Sequence, residues 1–516
     1  MNFISLEFIA LIFISTIIYY IVPIKKRYLV ICLANAFFYV YSCKFRSLYL
    51  LASMVSIFFA GLFINKIIIK KNEVKELKID KEEKKLLKKK YNKQKKLILL
   101  LAIIINLGIL LVLKYDNFFI SMINSLFSSK ISFHTFIVPF ALSYYTLSAL
   151  SYIIDVYNEK YEATNNFFKI FLFLSFYPLM VEGPICRFNE IGEQLFEGHQ
   201  FDYQKYCNNL LRITWGFMKK IVIADRVGVC VDAIFSYGYS GPLILLGVFG
   251  YVIQIYAEFS GCMDIVIGIG GLFGIKLPEN FNAPFFSRSV DEFWRRWHIT
   301  LGTWLKDYIF YPVSISKLNM KVSMLAHKIK WRHLADTIAM ILPLFCVWFI
   351  MGFWHGPTNK YIIYGMYYFV LMLLSYLLKP LIKKINELLH TNTEVFSYHL
   401  LQSFITLIFV TLGMALFRVA DLNGVKLLIY MFQLPMNSNI SILFNGYANL
   451  MIVILGTITL FIIDLMKYHG INIMDKLNEQ NLVFKYIVYL TVIMVVLIFG
   501  MYGTGYDASS FIYGGF

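Results

Sequence analysis

An all-α polytopic membrane protein is predicted by three features of the sequence. Of 516 residues, 59% are hydrophobic and only 15% charged, with a mean hydropathy of +0.65, whereas an ordinary soluble domain carries about 25% charged residues. The apolar residues form long charge-free blocks such as Leu97 to Leu113, Thr337 to Phe353 and Tyr361 to Leu378. Each is close to the roughly 20 residues that cross about 30 Å of hydrocarbon. Such blocks exclude a β-barrel and a single amphipathic anchor.

Taken in order, Met1 to Pro23 has an apolar run with neither a basic leader nor a small-residue cleavage motif, and reads as a retained first helix, Leu6 to Ile21. Tyr28 to Tyr41 and Leu48 to Ile64 follow. Lys66 to Lys96 then holds 14 Lys against five acids, Glu73, Glu76, Asp80, Glu82 and Glu83. This run is the largest local contribution to a net charge of +17. Lying between two membrane blocks, it reads as a basic cytoplasmic loop under the positive-inside bias and not as a nucleic-acid site. Alternation then places Lys25, Lys26 and Arg27, the stretch from Lys317 to Arg332, and Lys379 to Lys384 on the same side. Further blocks lie at roughly 135–154, 168–181, 209–224, 242–257, 262–275, 298–313, 337–354, 361–378, 400–417, 449–465 and 484–501. Several are short or polar, so about nine to eleven spans plus re-entrant segments are expected within one integral membrane domain, 1–516.

Seven cysteines without CxxC spacing suggest free thiols, and neither a disulfide framework nor a metal site. Phosphate-loop, HExxH and GxSxG patterns are absent, and the glycines at 268–271 lie in a membrane block, which makes a dinucleotide site untenable.

Charge inside apolar surroundings is costly and points to function. It clusters in the middle of the chain, in Glu258-Phe-Ser-Gly-Cys-Met-Asp264, Leu277-Pro-Glu-Asn-Phe-Asn282-Ala-Pro-Phe285, Val290 to Tyr308, and Met351-Gly-Phe-Trp-His-Gly-Pro357, with an earlier island at Val181 to Phe188. Read as a helix, the stretch around His298 puts Trp294, His298, Leu301 and Leu305 on one face. Its Trp and Arg residues also suit an interfacial helix. His355 closes an uncharged run and precedes Gly356-Pro357, which ends the helix. A neutral imidazole there can take a proton from a hydroxyl; a capping or packing histidine is the structural alternative. The 18 residues from Thr337 to His355 amount to about 27 Å of straight helix. Either a kink at Pro343 or a locally thin membrane would keep His355 off the outer face.

These motifs together, Asp291-Glu-Phe-Trp-Arg-Arg-Trp-His298-Ile-Thr-Leu, Lys306-Asp-Tyr-Ile-Phe-Tyr-Pro312 and Gly352-Phe-Trp-His355-Gly356, resemble the membrane-bound O-acyltransferase family in its bacterial alginate O-acetylase branch. Ser143 to Tyr157, Gly183-Pro184 with Arg187, Tyr256 to Gly261 with Asp264, and Gly503 to Tyr513 support it. The resemblance implies a ring of tilted helices around a central tunnel where a cytoplasmic acyl thioester meets an acceptor hydroxyl. It implies His355 as the general base and His298 on the tunnel's cytoplasmic half, the functional place of His298 resting on the resemblance alone. Trp354, Trp297, Arg295, Arg296, Asp307, Tyr308, Glu258, Asp264 and Asn282 would line the substrate path. Acetyl-CoA or another acyl thioester would be the donor, with no bound cofactor, and Arg295, Arg296 and Lys306 would meet its negative charge. The acceptor would be a cell-surface or secreted polysaccharide, reached through an extracytoplasmic esterase-like partner. The competing readings are D-alanyl transfer to teichoic acid and a transporter or flippase. Transporters tend to show two repeated halves, and the sequence has one polar centre and no repeat.

Overall fold

A computed structural model describes residues 4–236, 243–329, 331–419 and 446–503, with single helical positions at 426, 429 and 433. Lys330 and all but the first residue of the Gly503 to Tyr513 stretch lie outside the described residues. Among the described residues there is no strand, only an isolated antiparallel bridge between Phe281 and Trp297. The chain divides into two compact units, Met1–Asn209 with Val266–Pro278, and Leu210–Ile265 with Glu279–Phe516.

The first unit begins with α1 (Leu6–Ile21), α2 (Arg27–Cys43), α3 (Ser47–Glu73) and α4 (Lys81–Phe127). It continues with α5 (Leu142–Tyr157), α6 (Phe167–Ser175), α7 (Leu179–Glu182) and α8 (Phe188–Phe196). The basic stretch 66–96 is not the expected loop. Its two ends are helical, α3 running to Glu73 and α4 starting at Lys81, so only residues 74–80 connect them. Lys and Glu are good helix formers, and Asp80 caps α4 by accepting from the Glu82 N–H at 3.1 Å. With 47 residues α4 is about 70 Å long, more than twice the hydrocarbon thickness. Lys95 ties this extension to the rest of the unit, donating to the Tyr157 carbonyl at 2.9 Å and to Glu159 at 2.7 Å.

Next along the chain comes α9 (Tyr203–Phe217), followed by a π-helical turn (Met218–Ala224) and α10 (Asp225–Ser236). The apolar blocks at 242–257 and 262–275 are one helix, α11 (Leu243–Leu272). Gly261, which falls between those two blocks, serves helix packing. A Cβ there would lie 2.8 Å from the Gly216 carbonyl oxygen, and one on Gly216 would lie 2.6 Å from the Gly261 carbonyl oxygen, so only paired glycines let α9 and α11 come this close. Beyond α11 lie α12 (Val290–Arg296), α13 (Ile299–Leu305), a second π-turn (Lys306–Phe310), α14 (Tyr311–Ser314), α15 (Lys317–Ala326), α16 (Arg332–His355), α17 (Asn359–Leu388) and α18 (Phe396–Arg418). The last described helices are α19 (Tyr447–Tyr468), α20 (Ile473–Asn478) and α21 (Leu482–Phe499).

Among the described residues, eight stretches are long and apolar enough to cross a membrane, namely residues 24–73, α4, α11, α16, α17, α18, α19 and α21. The first of these comprises α2 and α3, which meet at Lys44 with φ +50°; α1 is a shorter apolar helix. The chain is a multi-pass membrane protein.

Candidate functional site

The site is built around a break in the backbone. Residues 290–305 do not form one helix, because His298 sits between α12 and α13 at φ +47° and ψ +50°. This left-handed conformation costs a β-carbon-bearing residue about 1–3 kcal/mol unless its surroundings impose it. Asn280 imposes it. Its side-chain oxygen accepts from the Thr300 N–H at 3.0 Å and the Thr300 hydroxyl at 2.9 Å, and its backbone carbonyl accepts from the Ile299 N–H at 3.0 Å. Together these bonds capture the first turn of α13, an N-cap supplied from 20 residues upstream. The Asn282 N–H donates to the Arg296 carbonyl at 2.9 Å, and Phe281 bridges Trp297, so residues 280–282 run antiparallel to residues 296–299. Trp294 therefore does not share a helix face with His298; it packs on Trp348 and Tyr368.

His298 is 1% exposed. It meets Phe259 edge-on at 4.8 Å and Trp354 at 6.0 Å between centroids, and its Nδ1 lies 3.3 Å from the Asn280 side-chain oxygen. Its Nε2 is buried without a hydrogen-bond partner among the described residues. The residue lies outside the helices long enough to cross the membrane, and burial pushes its pKa down to about 3, so the imidazole is neutral at physiological pH.

His355 is the last residue of α16, which stops at Gly356 as Gly356-Pro357 predicts; Pro343 lies inside that helix. Its ring packs on Trp354 at 5.1 Å, Phe417 at 5.1 Å, Tyr364 at 6.0 Å and Tyr361 at 6.1 Å. The approach of α17 follows from Gly352 and Gly365. A Cβ on Gly352 would fall 2.3 Å from the Tyr361 carbonyl oxygen, and one on Gly365 2.3 Å from that of Trp348. Both histidines thus share the Trp354 ring, although 57 residues separate them in sequence.

Of the other predicted residues, Trp297 is buried against Phe281, Phe293 and Tyr256. Glu258 and Asp264 lie on α11 in a buried ion-pair network. Lys220 reaches Glu258 at 3.3 Å and Asp225 at 2.8 Å, while Asp264 binds Lys219 at 2.5 Å and Arg212 at 2.9 Å. Asp264 and Asn282 also line a cavity of about 950 Å³, with Arg212, Lys467, Ile299 and Phe484 among its other walls; neither histidine lines it. Arg295 and Arg296 are engaged locally, by Asp291 and by Glu292 respectively, and with Lys306 they stand outside this cavity. Tyr308 is buried beside Trp304, and Asp307 is exposed. The seven cysteines are free thiols, and no metal-binding cluster occurs among the described residues.

Asn280, Lys219 and Lys220 escaped the sequence reading. The signals were there: an asparagine in a short segment between Pro278 and Pro284, and a Lys-Lys pair inside the apolar run 209–224.

Residues 128–327 match the family model of the membrane-bound O-acyltransferases. The chain is 30% identical over 330 residues to the probable alginate O-acetylase of Pseudomonas syringae pv. tomato, covering 62% of this chain and 58% of that protein. It is 30% identical over 294 residues to the peptidoglycan O-acetyltransferase of Helicobacter pylori, covering 51% of this chain and 52% of that protein. It is 29% identical over 247 residues to the teichoic acid D-alanyltransferase of Bacillus subtilis, covering 46% and 59%. The matched region spans less than two thirds of each of these relatives. Residues 128–327, the part of the chain that matches the membrane-bound O-acyltransferase family model, contain His298 and Asn280.

Proposed function

We propose that the protein is an O-acyltransferase that moves an acetyl group from acetyl-CoA, or another acyl thioester, to a hydroxyl of a cell-surface or secreted polysaccharide, directly or through an extracytoplasmic esterase-like partner. The observation that carries this reading is the pair of buried histidines packed on Trp354. Two buried imidazoles in an aromatic setting suit proton transfer to and from oxygen and sulfur atoms. His355 acts as general base, taking the hydroxyl proton as the oxygen attacks the thioester carbonyl; the C–S bond breaks and the departing thiolate takes up a proton. His298 offers an Nε2 lone pair to the same centre. The names of the relatives support transfer to cell-envelope polymers.

The test is reconstitution in liposomes with acetyl-labelled acetyl-CoA and candidate polysaccharides, in parallel with a D-alanyl thioester. Label on glycan or partner that depends on His355 supports the reading. Transfer only from the D-alanyl donor would move the protein to teichoic-acid chemistry, and no transfer from any thioester would overturn the acyltransferase reading.

A further inference from the structure

We propose that Asn280 is a positioning residue that fixes the His298 ring as the tautomer protonated at Nδ1, with the Nε2 lone pair held open. The argument starts from Thr300. Its backbone N–H can only donate, so the Asn280 atom that receives it at 3.0 Å is the carbonyl oxygen and not the amide nitrogen. The amide nitrogen faces the Met263 sulfur at 3.3 Å. His298 Nδ1 lies 3.3 Å from that same oxygen, which cannot donate, so Nδ1 must carry the proton. In a neutral ring the lone pair is then on Nε2, a buried atom with no hydrogen-bond partner among the described residues. The left-handed backbone at His298 presents the ring to Asn280, and Asn280 holds that backbone through Thr300 and Ile299. One amide therefore sets both the place and the protonation pattern of the imidazole.

An amide does this where a carboxylate would not. Asp would accept the same three bonds, but its charge would draw a second proton onto the ring and cancel the lone pair. The titratable groups on the elements packed around His298 are otherwise engaged or apart. On α11, Glu258 is paired with Lys220, and Asp264 with Lys219 and Arg212; on α16, His355 stands beyond the Trp354 ring. The state of the ring is independent of any activity, whereas its effect on rate rests on the acyltransferase reading.

The experiment is nitrogen NMR of the full-length protein in bilayers with ring-15N histidine, the His298 signals being identified by their loss in His298→Gln. The wild type should show a pyrrole-type Nδ1 and a pyridine-type Nε2 at pH 7 and still at pH 5. Asn280→Asp, which keeps the cap on Thr300, should show both nitrogens protonated at pH 5 and lose about 10–100-fold in acyl transfer, the cost typical of losing a partner that orients a functional ligand. Asn280→Leu should mix the two tautomers. A protonated Nε2 in the wild type, or an unchanged ring in Asn280→Asp, would overturn the proposal. A pyridine-type Nε2 in a protein that transfers no acyl group from any thioester would leave it standing and reject the function instead.

Discussion

His298 and His355 share one indole but are delivered to it by opposite kinds of backbone. His355 ends a 24-residue helix, and its place follows from helix length, Pro357 and two glycines that admit α17. His298 sits on a left-handed residue between two helices of seven residues each, held by an asparagine from another segment. A helix end can be shifted by any change along its length. A residue clamped on both sides moves only if the clamp does. The difference teaches that the first histidine is fixed by local bonds and the second by packing over many turns, so substitutions should separate them.

The largest separation is expected in rate. His355→Gln keeps a hydrogen-bonding side chain that cannot act as a base, and should lower acyl transfer by about 10² to 10⁴-fold while abundance in the membrane stays unchanged. Near wild-type turnover would return His355 to a packing role. Next comes the ion-pair floor beside the His298 clamp. Asp264→Leu strands Lys219 in a buried site and should destabilise by about 3–5 kcal/mol, read as a lower denaturation midpoint in detergent. Loss of less than 1 kcal/mol would show that water reaches Lys219.

A smaller effect distinguishes the histidines by pH. His298 has its pKa depressed to about 3 in the folded chain against an ordinary 6.5, so the unfolded chain binds the extra proton. Its neutral burial costs nothing above pH 6.5 and reduces stability as pH falls from 6.5 towards 3. At about 1.4 kcal/mol per pH unit, the wild type should lose about 2 kcal/mol more than His298→Gln between pH 7 and pH 5. Parallel curves for the two proteins would mean that the ring is hydrated. The smallest effect is expected at the rim. Arg295 pairs with Asp291 one turn away on an exposed face, and Arg295→Gln should cost about 0.3–0.5 kcal/mol and leave KM for the thioester unchanged. A tenfold rise in KM would restore Arg295 to donor binding.

Much of this architecture is legible from composition and periodicity. The helices from α16 to α18, and the end of α16 at His355, follow from charge-free runs and from Gly356-Pro357. What escapes is whatever depends on partners distant in sequence. The pattern from Val290 to Leu305 satisfies helical spacing throughout, and nothing in it signals that Asn280 will take the N–H of Thr300 and break the run at His298. The role of Gly261 escapes for the same reason, since it lies in the carbonyl of Gly216 on another helix. The lysine-rich stretch misleads differently. Hydropathy separates it from α3 and α4, but Lys and Glu are themselves good helix formers, and both helices run on into it.

Three consecutive residues of α11 have a mechanical consequence. Glu258 is bound to Lys220, Phe259 touches the His298 ring, and Ser260 accepts from Lys219 at 3.0 Å. Successive side chains on a helix leave the axis about 100° apart, so the ring contact of Phe259 is flanked on either side by a lysine tether. The helix is thus held against rolling about its own axis. Any event that loosened one tether, whether a proton, a ligand or a shift of the π-turn that carries both lysines, would be felt at His298 as torque.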